Sequence, residues 1–193
     1  MKPPRRYKRP TPESLAAGAL YYLSRYAASE AGLRRVLENK IRRAALRDEA
    51  LAADASTQSA LRAAIDRIVE THKRTGVIND KAFAEMKVHS LRRSGGSTRR
   101  ITQKLAQKGI DKDLIEDALH PEDPDLSPAQ AEEAAARAFA KKRAFGPYRK
   151  AHPQSSDDPL LKAKRDTKEV AALARAGFSF DVAKKVLAVE IEE

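Results

Sequence analysis

The residues able to do acid–base, metal or nucleophilic chemistry are few and scattered in this 193-residue chain. His72, His89, His120 and His152 lie far apart in sequence. They form neither a His-x-His nor a His-Glu-x-x-His pattern, the spacings that place two imidazoles on one metal. There is no cysteine, so disulfides and thiolate metal sites are excluded, which suits a reducing cytosol. Gly95-Gly96 precedes a helical stretch, but no strand leads into it and no Gly-Lys-Ser/Thr follows. The pair therefore reads as a tight turn and not as a phosphate-binding loop. No nucleophile elbow is present. The expectation is a chain with no catalytic residue, metal site or cofactor, acting by binding and not as an enzyme.

The chain is rich instead in clustered cations. Lys and Arg number 38 against 27 Asp and Glu, a formal net charge of +11. A surplus of this size favours a polyanionic partner: nucleic acid, an acidic protein groove or an anionic membrane. Arg34, Arg35, Arg42 and Arg43 surround one predicted helix. Arg92 and Arg93 close another, and Arg99 and Arg100 open the next across the Gly-Gly turn. Lys104 and Lys108 follow Arg100 at four-residue steps, so the three are expected to share a helix face. Lys141, Lys142 and Arg143, with Arg149 and Lys150, make a third patch. A charge run is usually only a solvated face. Clustering at corresponding places in repeated segments favours binding, which should then weaken steeply with salt.

The elements that must position these cations read as helices throughout. Ala, Leu, Lys, Arg, Glu and Gln dominate, and all favour helix. No β-branched or aromatic stretch alternates long enough to suggest a sheet. Met1–Pro12 is a basic, proline-containing arm. Thr11 caps a first helix with Pro12 at its first position, and Leu15, Ala19, Tyr22, Leu23 and Tyr26 form its inward stripe. Ser29 caps a second helix, with Leu33, Val36, Leu37 and Ile41 inward. Arg47–Ser56 reads as a loop or a helical extension, and Thr57–Thr75 as a helix with Leu61, Ile65, Ile68 and Val69 inward. Asn79, Ser97 and Asp111 cap three more. The first of these carries Phe83, Met86, Val88 and Leu91, the second Ile101 and Leu105, and the third Leu114, Ile115, Ala118 and Leu119. Pro121–Pro128 is an acidic linker. Ser127-Pro128 opens a further helix that Gly146-Pro147 ends, residues 148–158 form a polar connection, and Pro159–Arg175 is helical. Ser179 begins the last helix, with Val182, Val186, Leu187 and Val189.

A repeat runs through this pattern. Ser29, Leu33, Leu37 and Lys40 match Ser97, Ile101, Leu105 and Lys108 at a constant step of 68 residues. The same step carries Leu105 and Gly109 to Leu173 and Gly177. The third copy is weaker, with Arg165 at the serine position and Glu169 at the first apolar one. Each unit alone is too small to bury a substantial core. The predicted architecture is all-α: an elongated, curved array of three tandem three-helix, helix-turn-helix-like repeats. Its parts are a flexible basic arm (1–10), repeat 1 (11–76), repeat 2 (77–120), the linker (121–128) and repeat 3 (129–193).

Three segments, "ALYYLSRYAASEAGLRRVLENK", "GVINDKAFAEMKVHSLRRSGGSTRRITQKLAQKGIDKDLIEDAL" and "LARAGFSFDVAKKVL", resemble the RecX family of bacterial recombination regulators. The resemblance runs from about Ser14 to Leu187. It is most specific at Gly76–Asp80 with Phe83-Ala84, at Arg100-Ile101 through Lys108-Gly109-Ile110, and at Gly177–Val182. Ile41 stands where the first unit of the family often has Gly, Asn79-Asp80 replaces a common Asp-Asp, and the stretch after Arg43 is longer than in many members. The resemblance implies tandem three-helix repeats and modulation of the RecA recombinase. Family members bind along the RecA–single-stranded DNA filament and restrain its ATP hydrolysis and strand exchange, limiting recombination and the SOS response.

On that basis Arg34, Arg35, Arg42, Arg43, Arg92, Arg93, Arg99, Arg100, Lys104, Lys108, Lys141, Lys142 and Arg143 are expected to touch DNA phosphate or filament carboxylates. The expected partners are the RecA filament and single-stranded DNA, with duplex DNA bound more weakly. A monomer is expected. The cytoplasm is its expected place: no uncharged apolar run nears the ~18 residues a membrane span needs, and no apolar h-region follows the N-terminal arm. The rival reading is a stand-alone helix-turn-helix-like DNA-binding protein. No Asn or Gln beside Arg at the start of a recognition helix argues for base reading. A structural adaptor is a further alternative, and salt-independent partner binding would point to it.

Overall fold

A computed structural model describes residues 8–120, 126–149 and 159–188. Most of the N-terminal arm, most of the acidic linker, Lys150, His152 and Val189 lie outside the described residues. Those described hold ten α-helices and one 3-10 turn: α1 (Pro12–Leu23), α2 (Glu30–Ala45), α3 (Glu49–Ala53), α4 (Ala55–Arg74), α5 (Asp80–Arg93), α6 (Thr98–Gln107), α7 (Lys112–Leu119), α8 (Pro128–Arg143), the turn Gly146–Tyr148, α9 (Pro159–Arg175) and α10 (Phe180–Ala188). The fold is an all-α helical repeat. The chain divides into two compact units, one of residues 1–83 with 108–110, the other of residues 84–107 with 111–193.

Local chemistry sets the helix ends. Thr11 and Ser14 form a reciprocal capping box with Pro12 at the first position of α1. Ser127 and Gln130 repeat the device at α8. The open stretch 47–56 resolves into α3, capped by Asp48, followed at once by α4, capped by Asp54. The Arg9 guanidinium holds the Asp48 carboxyl below its usual range, and the Thr57 hydroxyl does the same for Asp54. α4 thus begins two residues before the predicted start.

In the first unit Leu15, Leu33, Leu37, Ile41, Leu51, Leu61, Ile65, Val69 and Ile78 make one buried cluster. Tyr26 does not join it: α1 ends at Leu23, and Tyr26 is 58% exposed beyond the helix. In the second unit Phe139 packs edge-on to Phe178 and Phe145, with ring centroids 5.9 and 6.4 Å away. Leu173, Ala183 and Val186 complete that cluster. Met86, predicted inward, is exposed, because α5 buries Phe83, Ala84 and Val88.

The 68-residue step is physical. Leu37, Leu105 and Leu173 are 0%, 1% and 0% exposed. Within the first unit, Ser29 accepts from the Gly32 N–H at 3.0 Å and donates to the Lys108 carbonyl at 2.7 Å. Within the second, Ser97 accepts from the Arg100 N–H at 3.3 Å and donates to the Ala176 carbonyl at 2.6 Å. Each serine caps its own helix and binds a carbonyl 79 residues onward. The next residue is a left-handed glycine, Gly109 with φ 76° or Gly177 with φ 98°. A Cβ on Gly109 would overlap that of Ala31, and one on Gly177 would lie 2.5 Å from the Ser97 hydroxyl. Glycine at these two places therefore answers both the dihedral angle and the close approach.

In the third copy Arg165 replaces the serine, and Glu169 fills the slot of Leu33 and Ile101. Glu169 is only 7% exposed. It is tolerated because its carboxylate accepts from the Gly146 N–H at 2.8 Å and pairs with Arg149 at 2.7 Å.

Replacing Ser97 by Ala removes a cap and orphans the Ala176 carbonyl. It is expected to destabilise by about 2 kcal/mol in urea unfolding, and Ser29→Ala by a similar amount. No loss in either variant would contradict the joint.

Candidate polyanion-binding surface

The predicted cations separate into two groups. Some are used internally. Arg92 donates to Glu132 at 2.5 Å and to the Thr98 hydroxyl at 2.6 Å. Glu132 also accepts from the Thr98 N–H at 2.9 Å, so one carboxylate clamps the end of α5 to the start of α6. Arg34 pairs with Asp66 and, at 3.7 Å, with Glu30. The bond to Asp66 raises the Arg34 pKa above its ordinary value. Arg149 is drawn to Glu169 and Asp166, and the Glu169 bond likewise raises its pKa. Arg34 and Arg92, both expected at a binding surface, are thus engaged by carboxylates of the chain itself, as is Arg149. The pairings with Asp66, Glu132 and Glu169 carry no local mark in the sequence, whereas Glu30 stands four residues before Arg34, a helical spacing the sequence displays.

The second group faces solvent. Arg99, Arg100 and Lys104 on α6, and Lys141, Lys142 and Arg143 at the end of α8, are exposed. They form no ion pair among the described residues. Arg100 and Lys104 meet Lys142 and Arg143 around a cleft of about 270 Å³ at the Gly95-Gly96 turn. Arg143 lies over the Phe139 ring, 5.3 Å from its centroid, which keeps the guanidinium at the surface. A second hollow of about 320 Å³ brings Arg99 and Arg100 against Arg175 and Gly177. Among the described residues, no acid lines either one. Arg175 was missed in the sequence; its place two residues before the recurring glycine was the available signal. The cations of α8 also lie in its last turn, where the helix dipole favours them.

In the first unit Arg42 and Arg43 are exposed in the last turn of α2, and Arg35 is exposed on the same helix. Lys108 departs from the expected row. α6 stops at Gln107, so Lys108 sits on the following turn, within the first unit. Arg93 is exposed and borders a different cleft, of about 560 Å³, walled mainly by Val88, Leu119 and alanines of α8. His89 and His120 line that cleft together, although they are far apart in sequence. No group of three or more His, Cys, Asp or Glu able to hold a metal occurs among the described residues. No described helix is long and apolar enough to cross a membrane.

Capped helices linked by a recurring serine–carbonyl joint, with unpaired cations on their faces, define a helical-repeat protein. The family description "RecX, second three-helix domain" matches residues 79–119. The regulatory protein RecX of Myxococcus xanthus is 37% identical over 184 residues, covering 95% of this chain and 89% of that one. The regulatory protein RecX of Agrobacterium fabrum is 43% identical over 116 residues, covering 60% of this chain and 54% of that one. A crystal structure of RecX from Lactobacillus salivarius shares the fold with a TM-score of 0.59 at 20% identity, covering 91% of this chain and 94% of that one. The chain belongs to the RecX family of regulatory proteins.

The two kinds of arginine differ in what their loss does. Arg92→Ala leaves the half-buried Glu132 without its cation and is expected to cost about 2–3 kcal/mol of stability. Arg93→Ala, at an exposed position, stays within about 0.5 kcal/mol. Chemical denaturation of the two variants checks the assignment, and equal losses would refute it.

Proposed function

We propose that this protein regulates a recombinase by binding the RecA–single-stranded DNA filament and restraining its ATP hydrolysis, strand exchange and coprotease activity. It does so as a monomer in the cytoplasm, with no catalytic step of its own. The observation that carries the reading is the convergence of Arg100, Lys104, Lys142 and Arg143 on one cleft without an acid in its wall. Four unpaired cations around a hollow suit phosphate oxygens or clustered carboxylates, the two anionic groups that a nucleoprotein filament displays. Family membership supports the regulatory role, and the resemblance to recombination regulators favours the recombinase as partner.

The separation of cations sharpens which residues act. Arg99, Arg100, Lys104, Lys141, Lys142 and Arg143 contact the filament, joined by Arg42 and Arg43 of the first unit. Arg34 and Arg92 act on stability alone. Several weak contacts on one chain reinforce one another through effective concentration.

The test is charge reversal. Arg99→Glu, Arg100→Glu and Lys104→Glu together are expected to abolish inhibition of the RecA ATPase on single-stranded DNA. Helical circular dichroism should stay unchanged, because all three side chains are exposed. Full inhibition by the triple variant would overturn the proposal.

A further inference from the structure

We infer that the C-terminal end of α1 is a base-stacking platform, on which Tyr21 and Tyr26 take the unstacked bases of a single-stranded nucleic acid while Arg25 takes a phosphate. The inference deepens the filament reading by assigning a contact to the bases, where the α6 and α8 cations address charge alone.

The chain has five tyrosines and five phenylalanines. Phe83, Phe139 and Phe178 are buried, while Phe180, at the start of α10, is a single exposed ring at 57%. Tyr21 and Tyr26 are 63% and 58% exposed and lie within a span of six residues, so two exposed rings occur together. Both rings are braced. The Arg25 guanidinium carbon sits over the Tyr21 ring, 4.6 Å from its centroid. Tyr26 leans on Tyr22, with centroids 5.3 Å apart and planes tilted by 40°. A braced ring loses little rotational freedom when a flat ligand stacks on it.

The backbone fixes the site as well. The Ser24 N–H returns to the Leu20 carbonyl at 2.9 Å, and the Arg25 and Tyr26 N–H groups return to the Tyr22 carbonyl at 3.1 and 3.0 Å. Arg25 is thereby held just past the end of α1.

Local charge selects the ligand. From Ser14 to Ser29 there is no acidic residue, and Arg25 is the one charged side chain in that stretch. Exposed aromatic faces beside a guanidinium, with no acid near them in sequence, combine the two features single-strand binders use: a π-surface for the base and a cation for the backbone. The chain's charge of +11 favours such a polyanion over a neutral or basic protein surface.

The experiment compares two labelled strands of equal length and charge, oligodeoxythymidine and its abasic counterpart, binding the full chain by fluorescence anisotropy. The wild type is expected to bind the base-bearing strand about tenfold more tightly, within the range for stacking one base on an aromatic ring. Tyr21→Ala and Tyr26→Ala should each reduce that preference without weakening abasic binding, and Tyr21→Phe should retain it. With no tryptophan in the chain, quenching of tyrosine emission by the base-bearing strand gives an independent readout.

Three results would overturn the platform: no preference in the wild type, equal weakening of both strands in Tyr21→Ala, or loss of RecA ATPase inhibition in Tyr21→Ala with its strand preference intact. The last would make the patch a protein contact. A wild type that prefers the base-bearing strand but leaves RecA ATPase unchanged would overturn the filament reading and support the platform.

Discussion

The structure depends on a serine hydroxyl that makes two bonds at once. Ser29 and Ser97 accept from the backbone of the helix they cap and donate to a carbonyl 79 residues onward. A buried hydroxyl satisfied in both roles costs little, and one left half-satisfied is expensive. The bond therefore fixes a distance as well as contributing energy. It requires a glycine immediately after the accepting carbonyl, because any Cβ there would strike the capping segment. Serine, glycine and the leucine beneath them recur together because they meet one geometric demand.

That demand also bears on the proposed binding surface. The N–H accepted by Ser97 belongs to Arg100, the residue that lines both cationic hollows. The carbonyl it binds belongs to Ala176, beside Arg175 and Gly177 in the wall of the second hollow. Structural bonds thus hold cations that form no ion pair among the described residues. The Arg92–Glu132–Thr98 clamp secures the other side of the same turn. Mutual repulsion among Arg99, Arg100 and Lys104 is tolerated because buried neighbours hold their helix, with Ile101 and Leu105 at 0% and 1% exposure.

Much of this was legible in the amino-acid sequence, for definable reasons. Helix caps are local, so Thr11, Ser29, Asp111 and Ser127 announced their elements. The repeat is a matter of spacing, so the register alone marks Leu37, Leu105 and Leu173. Two kinds of fact were hidden. The first is pairing at a distance: Arg34 with Asp66, Arg92 with Glu132 and Arg149 with Glu169 carry no local mark, so structural and exposed arginines read alike. The second is substitution within the repeat. Glu169 breaks the apolar pattern, yet it occupies the same buried slot because Arg149 and the Gly146 N–H satisfy it. Tyr26 fell at helical spacing but beyond the helix end, so an exposed ring read as core.

The most direct test of the account is the salt dependence of regulation. RecA ATPase on single-stranded DNA is followed while this protein is titrated in at 50 and 200 mM salt. If four cations of the α6–α8 cleft displace counterions from a single strand, the half-inhibitory concentration rises about fifty-fold between the two. Inhibition that is absent at both, or equally strong at both, would contradict the account.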